Sequence, residues 1–395
     1  MYKITKYSYL FSTFLLILAT TSCKEAKKVE TENTTETAEQ MSAQPISKSE
    51  FGTLPNGTVI DKYTLTNANG IAIDVISYGG RITAIRMPDK NGKVENITLG
   101  FDKLEDYLAD NPYFGALIGR YGNRIANAQF SIGENTYKLG ANNGTNNLHG
   151  GPEGFDRAVL KVTPKPDGDK SVLVLEYYSK DGEMGYPGNL ATVVTYTLDN
   201  DNQFEINYEA ETDKATVINL TQHAYFNLSG DFSKPITDHK VKIDADSFLP
   251  VDENLIPTGE IRNVSGTPFD FTQSKTVSKE IDADNKQIAL GGGYDHCWVL
   301  NGVTGNLRTS AIAMHAASGR KLEVLTTEPG IQFYTGNFLD GTLPNPAGGF
   351  YGKRSGFCLE TQHYPDSPNQ PKFPSTKLEP GERYKTTTIF KFSIE

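Results

Sequence analysis

A carboxylate set in an apolar strand and two histidines in loops rich in glycine and aromatic residues are the groups of this chain best suited to moving protons. Glu360 lies in GFCLETQHYPDSPNQPKFP (356–374), where two-residue alternation puts Cys358, Glu360 and Gln362 on one face and Phe357, Leu359 and Thr361 on the other. An acid there is costly unless it is paired or its raised pKa is put to use, and a buried salt bridge is the competing reading. His223, in NLTQHAYFNL (219–228), titrates near neutrality and can donate a proton at physiological pH. His149, in NNLHGGPEGFD (146–156), precedes paired glycines that let main chain approach a ligand, although a lone histidine in such a loop is more often hydrogen-bonded support. GRYGNR (119–124) sets Arg120, Asn123 and Arg124 around a flexible Tyr121-Gly122, either to offer planar guanidinium donors to hydroxyls or as a turn with surface arginines. Asp295, in GYDHCW, and Gln332, in GIQFYTGNFLDG, add polar groups in strand-like contexts. These segments suit a small polar or carbohydrate-like ligand, and none alone identifies a reaction.

The elements that must position them are strands. Apolar runs of a few residues alternate with turn clusters from about Phe51 onward, and Phe204, Ile206 and Tyr208 alternate with Glu205, Asn207 and Glu209. Phe390, Phe392 and Ile394 repeat the pattern against Lys391 and Ser393, as expected of half-buried antiparallel strands. Val172 to Tyr178 and Ala191 to Leu198 are more uniformly apolar or β-branched and predict strands covered on both faces. Helices are expected only over Asp102 to Leu108 and near Val277 to Ile281. The expectation is an all-β fold, an extended β-sandwich with additional sheets, formed by one domain over residues 51–395.

Net charge is −10 and the basic residues are scattered, which argues against a nucleic-acid partner. At the N-terminus, Lys3 and Lys6 precede an apolar run from Tyr9 to Ala19, too short to span a bilayer comfortably, and Thr20, Thr21 and Ser22 lead to Cys23. This resembles the acylation site of a bacterial lipoprotein, with Thr20 where leucine is usual. It implies a signal peptide over 1–22, a lipidated Cys23 and an exported protein anchored on a periplasmic or cell-surface membrane face. Residues 23–50, dominated by Thr, Glu, Lys, Ala and Gln, are expected to be a disordered tether. The remaining cysteines, Cys297 and Cys358, have no CxxC or metal-knuckle spacing; they suit one disulfide or, preferably, two buried thiols.

The ordered set YFGALIGRYGNRIA, NLHGGPEGFD, DGEMGYPGNL, LTQHAYFNL, LPVDENLIPTGE, PGIQFYTGNFLDG and FCLETQHYPDSPNQP resembles the aldose 1-epimerase (galactose mutarotase) family from about Phe51 through Phe392. The resemblance implies a large β-sandwich whose concave face binds one monosaccharide and interconverts the α and β anomers of free aldohexoses. It requires no metal or other cofactor, and a monomer is expected. Carried over, the catalytic base falls on Glu360, the acid on His223 and a second active-site histidine on His149. Sugar contacts fall on Asn123, Arg124, Asp295 and Gln332. Gln222 stands where many members have Asn. The pH profile is expected to need ionised Glu360 on its acidic side and protonated His223 on its basic side. The alternatives are a glycoside hydrolase using Asp295 with Glu360, a sugar-binding protein without chemistry, and an epimerase of phosphorylated hexoses, for which an added cationic cluster is expected.

Overall fold

The computed structural model describes residues 46–395, so the expected signal segment 1–22, the acylation site at Cys23 and the tether as far as Pro45 lie outside the described residues. The tether's last residues are structured. Ile46–Thr53 is a strand paired antiparallel with Val59–Thr66, so residues 46–50, within the segment expected to be unstructured, belong to the fold. Its composition misleads because it is an edge strand: Ser47, Lys48, Ser49 and Glu50 face solvent, while Ile46 and Phe51 pack against apolar clusters.

Ile46–Thr53, Val59–Thr66, Ala72–Ile76, Ile82–Pro88 and Val94–Asn96 form a five-stranded antiparallel meander. A nine-stranded sheet runs, in spatial order, through Lys161–Pro164, Ser171–Ser179, Leu190–Leu198, Gln203–Thr212, Tyr384–Ile394, Arg320–Thr326, Arg308–His315, Lys240–Ile243 and Lys275–Thr276. A six-stranded sheet runs through Tyr225–Phe226, Phe357–Gln362, Gly330–Tyr334, Asp295–Val299, Ser247–Leu249 and Arg262–Asn263. One continuous apolar core joins all three, with Leu65 and Val75 from the first, Leu175, Ile206 and Phe392 from the second, and Trp298, Phe333 and Phe357 from the third. The expected all-β sandwich with additional sheets is the observed class.

Gln203–Thr212 alternates buried and half-buried residues as its sequence requires. Ser171–Ser179 and Leu190–Leu198 alternate too and are not covered on both faces: Val172 and Val174 are half-buried and Tyr178 is 57% exposed. Their β-branched outer residues satisfy strand geometry, not burial. Ile394 also departs from expectation, being exposed at the end of its strand. The first expected helix is the single turn Leu104–Leu108, and the second is a 3₁₀ turn over Val277–Lys279. A further helix, Lys286–Gly291, was not anticipated; Asn285 caps it by accepting from the backbone N–H groups of Gln287 and Ile288, and Gly292 ends it in the left-handed conformation. Cys297 and Cys358 are free and buried.

Candidate active site

Strand register builds the floor of the site. Across three neighbours of the six-stranded sheet, Glu360 lies opposite Gln332 and Gln332 opposite Cys297, while Cys358 lies opposite Tyr334 and Tyr334 opposite Asp295. Because side chains alternate, Phe357, Leu359, Ile331, Phe333 and Trp298 enter the main core, leaving Glu360, Tyr334 and Asp295 on the face that lines a cleft. The alternation expected around Glu360 is therefore the observed one.

Two loops bring histidines over this floor. Thr221–Gln222 pairs with Leu117–Ile118, and the backbone N–H of His223 donates to Ala116 O at 2.9 Å while that of Gly115 donates to His223 O at 3.1 Å. Gly115 has φ 62°, and a Cβ there would meet Ile82 O at 1.9 Å, so only glycine lets this main chain run so close. His149 follows Asn147–Leu148, which pairs with Arg124–Ile125. Its N–H donates to Asn123 O at 3.1 Å, and the Asn123 N–H donates back to His149 Nδ1 at 3.1 Å. Both residues have positive φ, 53° for His149 and 64° for Asn123, in the region asparagine and histidine tolerate better than most.

The cleft has a volume of about 120 Å³ and opens to solvent. His149, His223, Glu360, Asn123, Arg124 and Asp295 all line it, so six of the seven candidate site residues come together there. The seventh, Gln332, is buried beside them and is not part of the lining; its Nε2 donates to Asp295 Oδ1 at 2.7 Å, so it supports a neighbour. His223 Nε2 is 3.7 Å from Glu360 Oε1, and the His149 and His223 rings meet edge to face at 5.0 Å. Glu360 Oε2 is buried and has no hydrogen-bond partner among the described residues. Arg124 donates from Nε to Asn143 Oδ1 at 3.1 Å.

Arg120 departs from its expected role. It is buried at 2% exposure, and its guanidinium donates to the carbonyls of Pro187, Gly188 and Ser179, tying main chain together away from the cleft. The glycines after His149 also serve the protein: a Cβ on Gly150 would meet Gly119 O at 2.0 Å. Aromatic residues complete the walls. Tyr113 lies 4.6 Å from the His149 ring and 5.9 Å from the His223 ring, Tyr225 is 5.1 Å from His223, and Phe338, 59% exposed, packs on Tyr334 at the rim. All four stand inside the motifs quoted above, where the aromatic content was noted without naming them as site residues; their adjacency to polar residues was the available signal.

Burial sets the protonation of the site. It pushes the Glu360 carboxyl well above the ordinary range, and the Asp295 charge adds to this while Arg124 opposes it. Burial lowers His223 to about 3. His149 is pushed well below its ordinary value by burial and then by the positive charges of His223 and Arg124. Asp295 is raised by burial, against the pull of Arg124 and Gln332. Burial thus favours the carboxyl of Glu360 over the ring of His223 as the holder of a proton shared by the pair.

His149, His223 and Glu360 bring one donor atom each to within 4.8 Å of the others, a spacing open to a metal ion. The donor set does not fit one. The Asn123 N–H occupies the lone pair of His149 Nδ1, so neutral His149 carries its proton on Nε2 and presents an N–H, not a ligand lone pair.

The sequence pattern of the family described as aldose 1-epimerase matches residues 61–391. The chain is 48% identical over 350 residues to a galactose mutarotase of Bos taurus, covering 88% of this chain and 99% of that protein. It is 39% identical to an aldose 1-epimerase of Escherichia coli (strain K12), covering 86% of this chain and 97% of that one. Among solved structures, a galactose 1-epimerase from Lactobacillus acidophilus NCFM superposes with TM-score 0.77 at 30% identity, over 88% of this chain and 98% of that one. With a matched pattern across most of its length and relatives this similar over nearly their whole lengths, the chain belongs to the aldose 1-epimerase family.

Proposed function

We propose that this protein interconverts the α and β anomers of free aldohexoses, with Glu360 and His223 as the proton-transfer pair. The observation that carries the reading is their confrontation at 3.7 Å in a cleft that opens to solvent. Opening a cyclic hemiacetal moves two protons. The anomeric hydroxyl gives its proton to ionised Glu360, C1 becomes a carbonyl as the bond from C1 to the ring oxygen breaks, and the ring oxygen takes its proton from His223 Nε2. The pair ends with protonated Glu360 and neutral His223, the protonation that burial favours in the empty cleft. Rotation about the C1–C2 bond and closure on the other carbonyl face return both protons. His149 donates from Nε2 to a sugar oxygen and takes no part as a base, while Arg124, Asn123 and Asp295 hold hydroxyls.

A hydrolase built on Asp295 and Glu360 is disfavoured because a histidine, not a second carboxylate, confronts Glu360, and because Asp295 is held by Gln332. Galactose is the first proposed substrate, since the bovine relative is a galactose mutarotase and the L. acidophilus enzyme a galactose 1-epimerase, and glucose is proposed beside it as another free aldohexose. The acid-base pair argues against a binder without chemistry. Polarimetry on freshly dissolved α-D-galactose and α-D-glucose tests the proposal. Relaxation faster than the spontaneous rate, with no reducing sugar released from oligosaccharides, is the expected result. The exported, lipid-anchored location rests on the N-terminal sequence alone, and a monomer is proposed with it.

A further inference from the structure

His223 must do two things at one ring nitrogen: give a proton from Nε2 when the sugar opens and accept one there when it closes. In its neutral form it can accept only if Nε2 holds a lone pair, which requires the remaining proton to sit on Nδ1. The tautomer that an unrestrained neutral imidazole favours, with the proton on Nε2, is the unproductive one. The site therefore needs a group that keeps Nδ1 protonated, and what Nδ1 faces decides the matter.

Nδ1 of His223 lies 3.6 Å from Cys358 Sγ. Cys358 is fully buried, on the strand that carries Glu360 and two residues before it on the same face, so one strand supplies a partner to each nitrogen of the ring. Asn123 does the opposite at His149, donating a main-chain N–H to Nδ1 and so forcing the other tautomer. Two histidines with rings 5.0 Å apart are thereby given different neighbours at Nδ1: a donor that fixes His149 as a permanent N–H toward the cleft, and a sulfur at His223.

On the proposed assignment of His223 as the proton-transfer histidine, we infer that Cys358 is a positioning residue that accepts a hydrogen bond from His223 Nδ1–H, fixing the tautomer whose Nε2 lone pair faces Glu360. Sulfur is a weak acceptor, and this suits the task. A carboxylate in its place would stabilise the imidazolium and make His223 a poor acid; an aliphatic side chain would leave the tautomer to chance. The thiol itself is held protonated by burial, with the charges of Glu360 and Asp295 acting the same way, so it adds no negative charge beside the ring.

The test reads the tautomer directly. In protein labelled with ¹⁵N-histidine at neutral pH, the His223 signals, assigned by their loss in His223→Asn, should show a protonated Nδ1 and an unprotonated Nε2, whereas His149 should show the reverse. Cys358→Ala should shift His223 toward the Nε2–H form and lower kcat about 10-fold or more with KM nearly unchanged. Cys358→Ser, whose oxygen can accept from Nδ1–H, should restore most of both. Cys297→Ala, at the other buried thiol, should leave the His223 signals in place. A wild-type His223 protonated on Nε2, or a folded Cys358→Ala protein with unchanged tautomer and kcat, overturns the inference. Failure of the proposed assignment of His223 would appear separately, as full activity in His223→Asn.

Discussion

Glu360 and His223 face each other at 3.7 Å; the carboxylate in an apolar strand and the histidine followed by an aromatic pair marked them as candidates, the family resemblance gave them their roles, and neither carries their separation in space or the effect of burial on their protons. Glu360→Gln keeps the shape of the side chain and removes the proton acceptor, so turnover should fall about 10²-fold or more. His223→Asn should do likewise, and the double variant should lose far less than the product because the two act as one unit. Optical rotation with the spontaneous rate subtracted is the measurement, and near-normal relaxation by folded Glu360→Gln protein would move the base elsewhere, Asp295 being first to test. Burial also leads to a different prediction for the pH profile. Activity needs one proton on the pair, and the structure lowers His223 to about 3 while raising Glu360 well above its ordinary value. The acid limb of kcat/KM, which reports the free enzyme, therefore marks uptake of a second proton by His223, and the alkaline limb marks loss of the only proton from Glu360. The limbs are exchanged relative to the sequence-based expectation. An acid limb close to 6.5, the ordinary histidine value, would contradict the neutral resting pair.

At the scale of elements, strand alternation revealed which face of Phe357–Gln362 carries Glu360, since that rule is local. It could not show that Gln332 turns to Asp295, because that contact crosses from Gly330–Tyr334 to Asp295–Val299 and depends on register. Gln332→Ala should consequently raise KM through Asp295, and the double variant with Asp295→Ala should be scarcely worse than Asp295→Ala alone. Full additivity in KM would instead make Gln332 an independent sugar contact. Nor could a one-dimensional reading tell a glycine that admits ligand from one that admits main chain. Gly150 has φ 91°, and a Cβ there would strike Gly119 O at 2.0 Å, so the loop carrying His149 lies directly on the segment that leads to Asn123 and Arg124. Gly150→Ala combines strain with that clash. It should cost about 1–3 kcal/mol in a denaturant titration, and by displacing His149 it should lower kcat/KM about 10-fold or more. Unchanged stability would mean the two segments can part freely.

At the scale of the whole molecule, all the groups proposed to transfer protons or hold the sugar lie within the described residues 46–395. Catalysis and attachment are therefore separable. Regular structure is also present earlier than composition suggested, since Ile46–Thr53 is an edge strand on the five-stranded sheet. A chain starting at Ile46 should melt like the mature protein, whereas one starting at Phe51 strips the outer partner from residues 61–65, which keep only their pairing with Ala72–Ile76, and should melt lower. The anchor prediction follows from the basic start, the apolar run and the small residues before Cys23. Wild-type protein should sediment with membranes and incorporate labelled fatty acid, and Cys23→Ser should do neither. Because the cleft is built from the described residues, detergent-solubilised wild type, Cys23→Ser and the chain starting at Ile46 should relax α-D-galactose with the same kcat and KM. Wild-type protein that is soluble and unlipidated would remove the anchor while leaving the enzyme intact. A Cys23→Ser protein that leaves the membrane and also loses turnover would show that attachment and catalysis are coupled, against the separation the fold predicts.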